Sequence, residues 1–140
     1  MTEYKQTRDH NPEAGSIGDC YRTAIGCLLD LQPCDVPHFF EDQERSNEEG
    51  LEEAEKFVNG YGCTIIRIAY KCDEVSDALL AAASWTKGYY MLVGSSPRAQ
   101  HVVICEGAEM VWDPSMTDDF LIGPAEHGYF YMEFLGKKFH

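Results

Sequence analysis

The apolar runs of this chain predict an α+β fold, with N-terminal helices packed on a mostly antiparallel β-sheet. Two observations carry that expectation. Helical periodicity organises the first part of the chain, while runs rich in β-branched and aromatic residues organise the second. Tight turns join the later runs, and helices followed by closely connected strands is the α+β pattern. At 140 residues the chain makes a single domain, 1–140, long enough for a real core.

The elements follow in order. Residues 1–17 are polar, with turns marked by Asn11-Pro12 and Gly15-Ser16, and read as a loop or irregular arm. A first helix is expected from about Cys20 to Leu31, stopping before Pro33, with Ala24, Ile25, Leu28, Leu29 and Leu31 forming a buried face. Asp19 is a good N-cap residue, which sets Cys20 at the first helical position. Free backbone N–H groups and the positive dipole end meet there, and a thiol so placed is biased toward thiolate. The anionic Asp19 opposes that bias unless the cap occupies its carboxylate.

Residues 34–40 read as a turn and a short apolar patch. Glu41 to Glu55 holds eight acidic residues and one arginine. Within it Asn47 is expected to cap a second helix with Leu51, Ala54, Val58 and Tyr61 on one face, ended by Gly60 or Gly62; the acidic side is a solvated face. A strand over 63–70 follows. Then comes a third helix capped by Asp73 and running to about Trp85, with Val75, Leu79, Ala82 and Ala83 inward. Four further strands are expected over 89–93, 101–105, 109–113 and 129–135.

Composition narrows the function classes. With 24 acidic and 11 basic side chains the net charge is −13, a surface that phosphate backbones and anionic membranes repel. No apolar run approaches a membrane span, and the first residues lack the apolar core of a signal peptide, so a cytoplasmic location is expected. A reducing compartment argues against pairing the six cysteines as disulfides. Zinc is unsupported, because there is no Cys-x-x-Cys pair and Cys34-x-x-x-His38 has no matching second pair. Cys27, Cys63 and Cys105 read as small buried hydrophobes.

A thiol nucleophile needs a base, and the base needs an orienting partner. Of the five histidines only His101 is framed by structure, at the entry of a strand. A structural histidine is the plain reading of it alone. Asp113 closes the next strand, so a hairpin brings the two near each other. A two-residue Gly107-Ala108 turn would pair His101 with Pro114 and put Asp113 on the opposite face. A three-residue Glu106-Gly107-Ala108 loop, or a bulge near Trp112, would set His101 and Asp113 directly opposite. The bland reading of Asp113-Pro114 is a turn initiator.

Gly18-Asp19-Cys20-Tyr21-Arg22, then a helix and Asp35-Val36-Pro37-His38-Phe39, resembles small papain-like proteins of bacteria and their phages. So do His101-Val102-Val103, Trp112-Asp113-Pro114-Ser115, Gly123-Pro124 and the closing run from Tyr129 to Leu135, so the likeness spans nearly the whole chain. The wider superfamily includes papain-like and bacteriocin-processing peptidases and NlpC/P60 amidases. The resemblance implies Cys20 as nucleophile, His101 as base and Asp113 as orienter, with no cofactor. The superfamily also places a glutamine or asparagine shortly before the cysteine as oxyanion donor, whereas Ala14 stands here. The nearest amides are Asn11 and Gln6. Asn11 or Ser16 is the expected donor beside the Cys20 backbone N–H, and Asp19 is the remaining candidate at the binding site.

These residues predict a thiol-dependent hydrolase or acyltransferase acting on an amide or acyl bond. Its substrate would be a small acyl compound or a peptide segment, in the host cytoplasm if the gene is a phage's. A domain this small favours a small acyl group, an amidated side chain or an exposed peptide end, and the acidic surface favours a cationic substrate. The competing reading is a catalytically silent papain-like protein whose acidic helix engages a basic partner.

Overall fold

In the computed structural model, residues 1–7, 19–42, 44, 46–97, 99–115 and 120–137 are described. Three α-helices, α1 (Cys20–Leu29), α2 (Asn47–Asn59) and α3 (Val75–Ala83), accompany five strands. The strands are β1 (Cys63–Lys71), β2 (Tyr89–Ser95), β3 (Gln100–Glu106), β4 (Glu109–Trp112) and β5 (Tyr129–Lys137). They form one antiparallel sheet in the order β1-β5-β2-β3-β4. No helix among the described residues is long and apolar enough to cross a membrane.

Side-chain alternation along the strands divides the core between the two faces of the sheet. Met91, Val93, Val102 and Ile104 pack with Tyr21, Ala24, Ile25 and Cys27 of α1 and with Ala54 and Val58 of α2. Their sequence neighbours Tyr90, Leu92, Val103 and Cys105 pack, with Phe130 and Met132, against Ala78, Leu79 and Ala82 of α3. Each large side chain buried in this way stabilises the fold by about 1.5–3 kcal/mol.

Several helix boundaries differ from the expected ones, each for a local reason. The first helix ends at Leu29 rather than Leu31, because Asp30 turns left-handed at φ 59° and Leu31 N–H bonds back to Gly26 O at 2.8 Å. Ser46, not Asn47, caps α2: its hydroxyl accepts from Glu49 N–H at 3.2 Å. Asp73 does not cap α3. Glu74 is the residue at which the chain enters that helix, and its backbone carbonyl accepts from Asp77 and Ala78 N–H. The third helix also stops at Ala83, where tighter turn bonds from Ser84 and Trp85 replace helical ones.

The hairpin that carries His101 has the two-residue Gly107-Ala108 turn, with Gly107 at φ 60°, and also a register shift. Cys105 pairs with Met110, but Ile104 pairs with Trp112, leaving Val111 as the extra residue. Carried onward, that register sets Asp113 opposite Val103. Asp113 therefore returns to the side of His101 but lies diagonal to it, not directly opposite as expected of a bulge.

Beyond β5's short pairing with β2, residues 121–123 take over the edge. Ser95 N–H donates to Gly123 O at 2.8 Å and Ile122 N–H to Ser95 O at 2.8 Å. The close approach depends on Gly94, which pairs with His101; a Cβ there would meet Gly123 O at 2.7 Å and the Phe130 ring at 3.0 Å. Gly94→Ala is therefore expected to destabilise the fold by about 1–3 kcal/mol through overpacking. Urea unfolding with an unchanged slope would register this; an unchanged midpoint would contradict the packing.

Candidate functional site

The chain enters α1 at Asp19, whose backbone O accepts from Thr23 N–H at 3.1 Å as the first helical bond. Cys20 thus stands at the first helical position, where its own N–H has no intrahelical carbonyl to reach. The expected cap does not form: the Asp19 side chain makes no capping bond. Its buried carboxylate instead accepts from Arg22 Nε at 2.9 Å, Thr7 N–H at 3.0 Å and Thr7 Oγ1 at 2.5 Å. Occupied in this way and able only to accept, Asp19 cannot act as an oxyanion donor. It ties the N-terminal arm to the helix start.

His101 opens β3 beside this helix end and is nearly buried, at 7 % exposure. Its Nε2 lies 2.5 Å from Asp113 Oδ1. A carboxylate accepts only, so the Nε2 proton points to Asp113. The other ring nitrogen, Nδ1, is left free of that bond, and Cys20 lines the same cavity near enough to the ring to favour its protonated form. Burial lowers the His101 pKa, but the hydrogen bonds and charges of Asp113 and Cys20 outweigh it, and the net value is raised to about 9. Asp113 is fully buried. Burial raises its pKa, yet the His101 bond and charge and the N–H groups of Phe120 and Ser115 prevail and hold it below the usual carboxylate value. Those amides donate at 2.6 Å to Oδ2 and 2.8 Å to Oδ1.

The N-terminal arm braces the loop that carries Asp113. Lys5 Nζ donates to Asp113 O at 2.8 Å and Ser115 O at 2.9 Å, with its ammonium 4.4 Å above the Trp112 ring. Trp112 Nε1–H donates to Tyr4 O at 2.8 Å, and Gln6 N–H to Pro114 O at 2.7 Å. These bonds bring Gln6 into a cavity of about 490 Å³ that Cys20 and His101 also line. The sheet contributes Arg67, Tyr131 and Glu133 to the cavity, α2 contributes Glu48 and Leu51, and the loop before β5 contributes His127.

The structure therefore brings together Cys20, His101 and Asp113 and sets Asp19 to another task, while Asn11 and Ser16 lie outside the described residues. Gln6, one of the two nearest amides but not the expected donor because a long arm separates it from Cys20, is the amide that lines the cavity. Glu133 was not among the expected site residues, and its only signal in the sequence is an acidic residue at an inward position of an apolar strand. Among the described residues, no group of three or more His, Cys, Asp or Glu side chains is arranged to hold a metal ion. All six cysteines are free thiols.

Compared with protein-family models, curated proteins and solved structures, the chain matches none. Its chemistry has to be read from the site. A thiol beside an imidazole whose far nitrogen a buried carboxylate holds can pass its proton to that ring and become a nucleophile.

Because the folded pKa of His101 is raised above 6.5, its stabilising contribution is fully present below that pH and is lost as pH rises through about 9. The advantage of the native protein over His101→Gln is expected to shrink by about 3 kcal/mol between about pH 6 and pH 10. Urea titrations of both chains across that range measure it, and a pH-independent gap would count against the His101–Asp113 coupling.

Proposed function

We propose that this protein is a papain-like, thiol-dependent enzyme that acts on an amide or related acyl bond, as a hydrolase or an acyltransferase. The observation that carries the reading is the His101–Asp113 pair set beside Cys20 on one cavity, with the thiol at the start of α1. A thiol, an imidazole and a carboxylate in these roles are what nucleophilic acyl transfer requires.

In this reading His101 takes the Cys20 proton at Nδ1, and Sγ attacks the carbonyl carbon. The carbonyl oxygen becomes an oxyanion, stabilised by the Cys20 backbone N–H and by the Gln6 side-chain amide. As the tetrahedral species collapses, the carbon–nitrogen bond breaks and His101 returns the proton to the leaving amine. An acyl-thioester on Cys20 remains. Water or an amine, deprotonated by His101, attacks that thioester and releases the thiol. Asp113 keeps the ring in the required tautomer throughout and stabilises the imidazolium.

The exposed acidic face of α2 favours the other reading, a silent protein that binds a basic partner. One experiment separates them: Cys20 alkylation by iodoacetamide at several pH values, with peptide mapping of the six thiols, in the native chain and in His101→Ala. The enzyme reading expects Cys20 to react faster than the exposed Cys34 near neutral pH and His101→Ala to abolish that advantage. If Cys20 shows no advantage and the variant changes nothing, the enzyme reading falls. With any acyl donor found to turn over, Gln6→Ala is expected to lower kcat by about a hundredfold with the alkylation rate little changed.

A further inference from the structure

Glu133 is a carboxyl group for which the proposed acyl chemistry has no use. It lies on β5 in register with Arg67 of β1 and Met91 of β2, and it lines the same cavity as Cys20 and His101. Only 1 % of the residue is exposed. Oε1 accepts the Tyr21 hydroxyl hydrogen at 2.6 Å, whereas the buried Oε2 has no hydrogen-bond partner. Among the described residues no ion pair reaches it: Arg67, its cross-strand neighbour, lays its guanidinium 4.2 Å from the centre of the Tyr131 ring. Burial pushes the Glu133 carboxyl up, more than the Tyr21 bond and the Arg67 charge pull it down.

A buried carboxyl oxygen without a partner, on a residue that lines a cavity, is costly, and a ligand that supplies an N–H donor with positive charge removes that cost. The surroundings select the sign. Glu48 and Glu126 line the cavity with Glu133, against the single arginine Arg67, whose guanidinium lies over the Tyr131 ring, and the chain as a whole carries a net charge of −13. An anionic ligand would meet this field, whereas a cation would be drawn in.

We infer that the cavity beside Cys20 binds a substrate bearing a guanidinium or primary ammonium group, and that Glu133 Oε2 receives that group. The inference rests on the acyl-transfer reading for the word substrate, and it names what that substrate carries near its reacting carbonyl. Tyr21 is the positioning residue: its hydroxyl holds Oε1, so the other oxygen is the one presented. Leu51 and Phe40, also lining the cavity, offer apolar surface for the stem that joins the cation to the acyl group.

The test is protection of Cys20 from iodoacetamide by n-butylguanidinium, with n-butyramide as the neutral ligand and n-butyrate as the anion. In the native chain the cation is expected to protect at a concentration at least about tenfold lower than the amide, the effect of one charge-assisted hydrogen bond. Glu133→Gln, in which Tyr21 can still donate to the retained oxygen, is expected to erase that preference. Glu52→Gln, which removes an equal charge from the exposed face of α2, is expected to retain it. Equal protection by cation and amide in the native chain overturns the inference without recourse to any variant. So does a preference that survives Glu133→Gln. Protection is a ratio of rates at one thiol, so it can be read even if Cys20 proves no faster than an ordinary cysteine, and the two readings can fail separately.

Discussion

The site depends on one fully buried carboxylate. Asp113 accepts hydrogen bonds from His101 Nε2–H and from the backbone N–H groups of Ser115 and Phe120, and those donors outweigh the cost of its burial. Held at one nitrogen, the imidazole has a single orientation and offers the other nitrogen to Cys20. The same carboxylate ties Ser115 and Phe120 to the end of β4. Removing the carboxylate would leave a buried ring nitrogen and two amides unsatisfied at once, so orientation and local stability are not separable here.

The N-terminal arm makes that arrangement rigid from the other side. Thr7 grips Asp19 at the start of α1, while Lys5, Tyr4 and Gln6 bond to Trp112, Asp113, Pro114 and Ser115. A short segment thus spans the two structural units that must meet, the helix that carries the thiol and the hairpin that carries its partner. This gives the polar arm a role that its composition does not announce. It also explains why Asp19 is not a cap: Arg22 and Thr7 outcompete the helix amides for its oxygens.

Charge runs through the same geometry. On α2 the carboxylates of Glu48, Glu49, Glu52 and Glu53 are exposed, and a carboxylate that stays solvated contributes little to stability. Glu133 differs because it is buried, half satisfied and within the cavity. An acidic surface attracts cations in general, but only a desolvated carboxyl oxygen can choose among them by geometry.

From the sequence alone, the α+β class, the five strand regions to within a few residues and the helical start at Cys20 could be read. Each rests on a period of 2 or 3.6 residues or on local chain punctuation, which neighbouring residues determine among themselves. The order of Cys20, His101 and Asp113 was legible for the same reason, since each sits at the end of an element. Tertiary structure decided the rest. A single extra residue at Val111 returned Asp113 to the side of His101, packing of the arm brought Gln6 to the cavity, and pairing of β5 with β1 and β2 buried Glu133 beside Tyr21. Those outcomes depend on register and on contacts between residues far apart in the chain, where a one-residue change reverses the face a side chain presents.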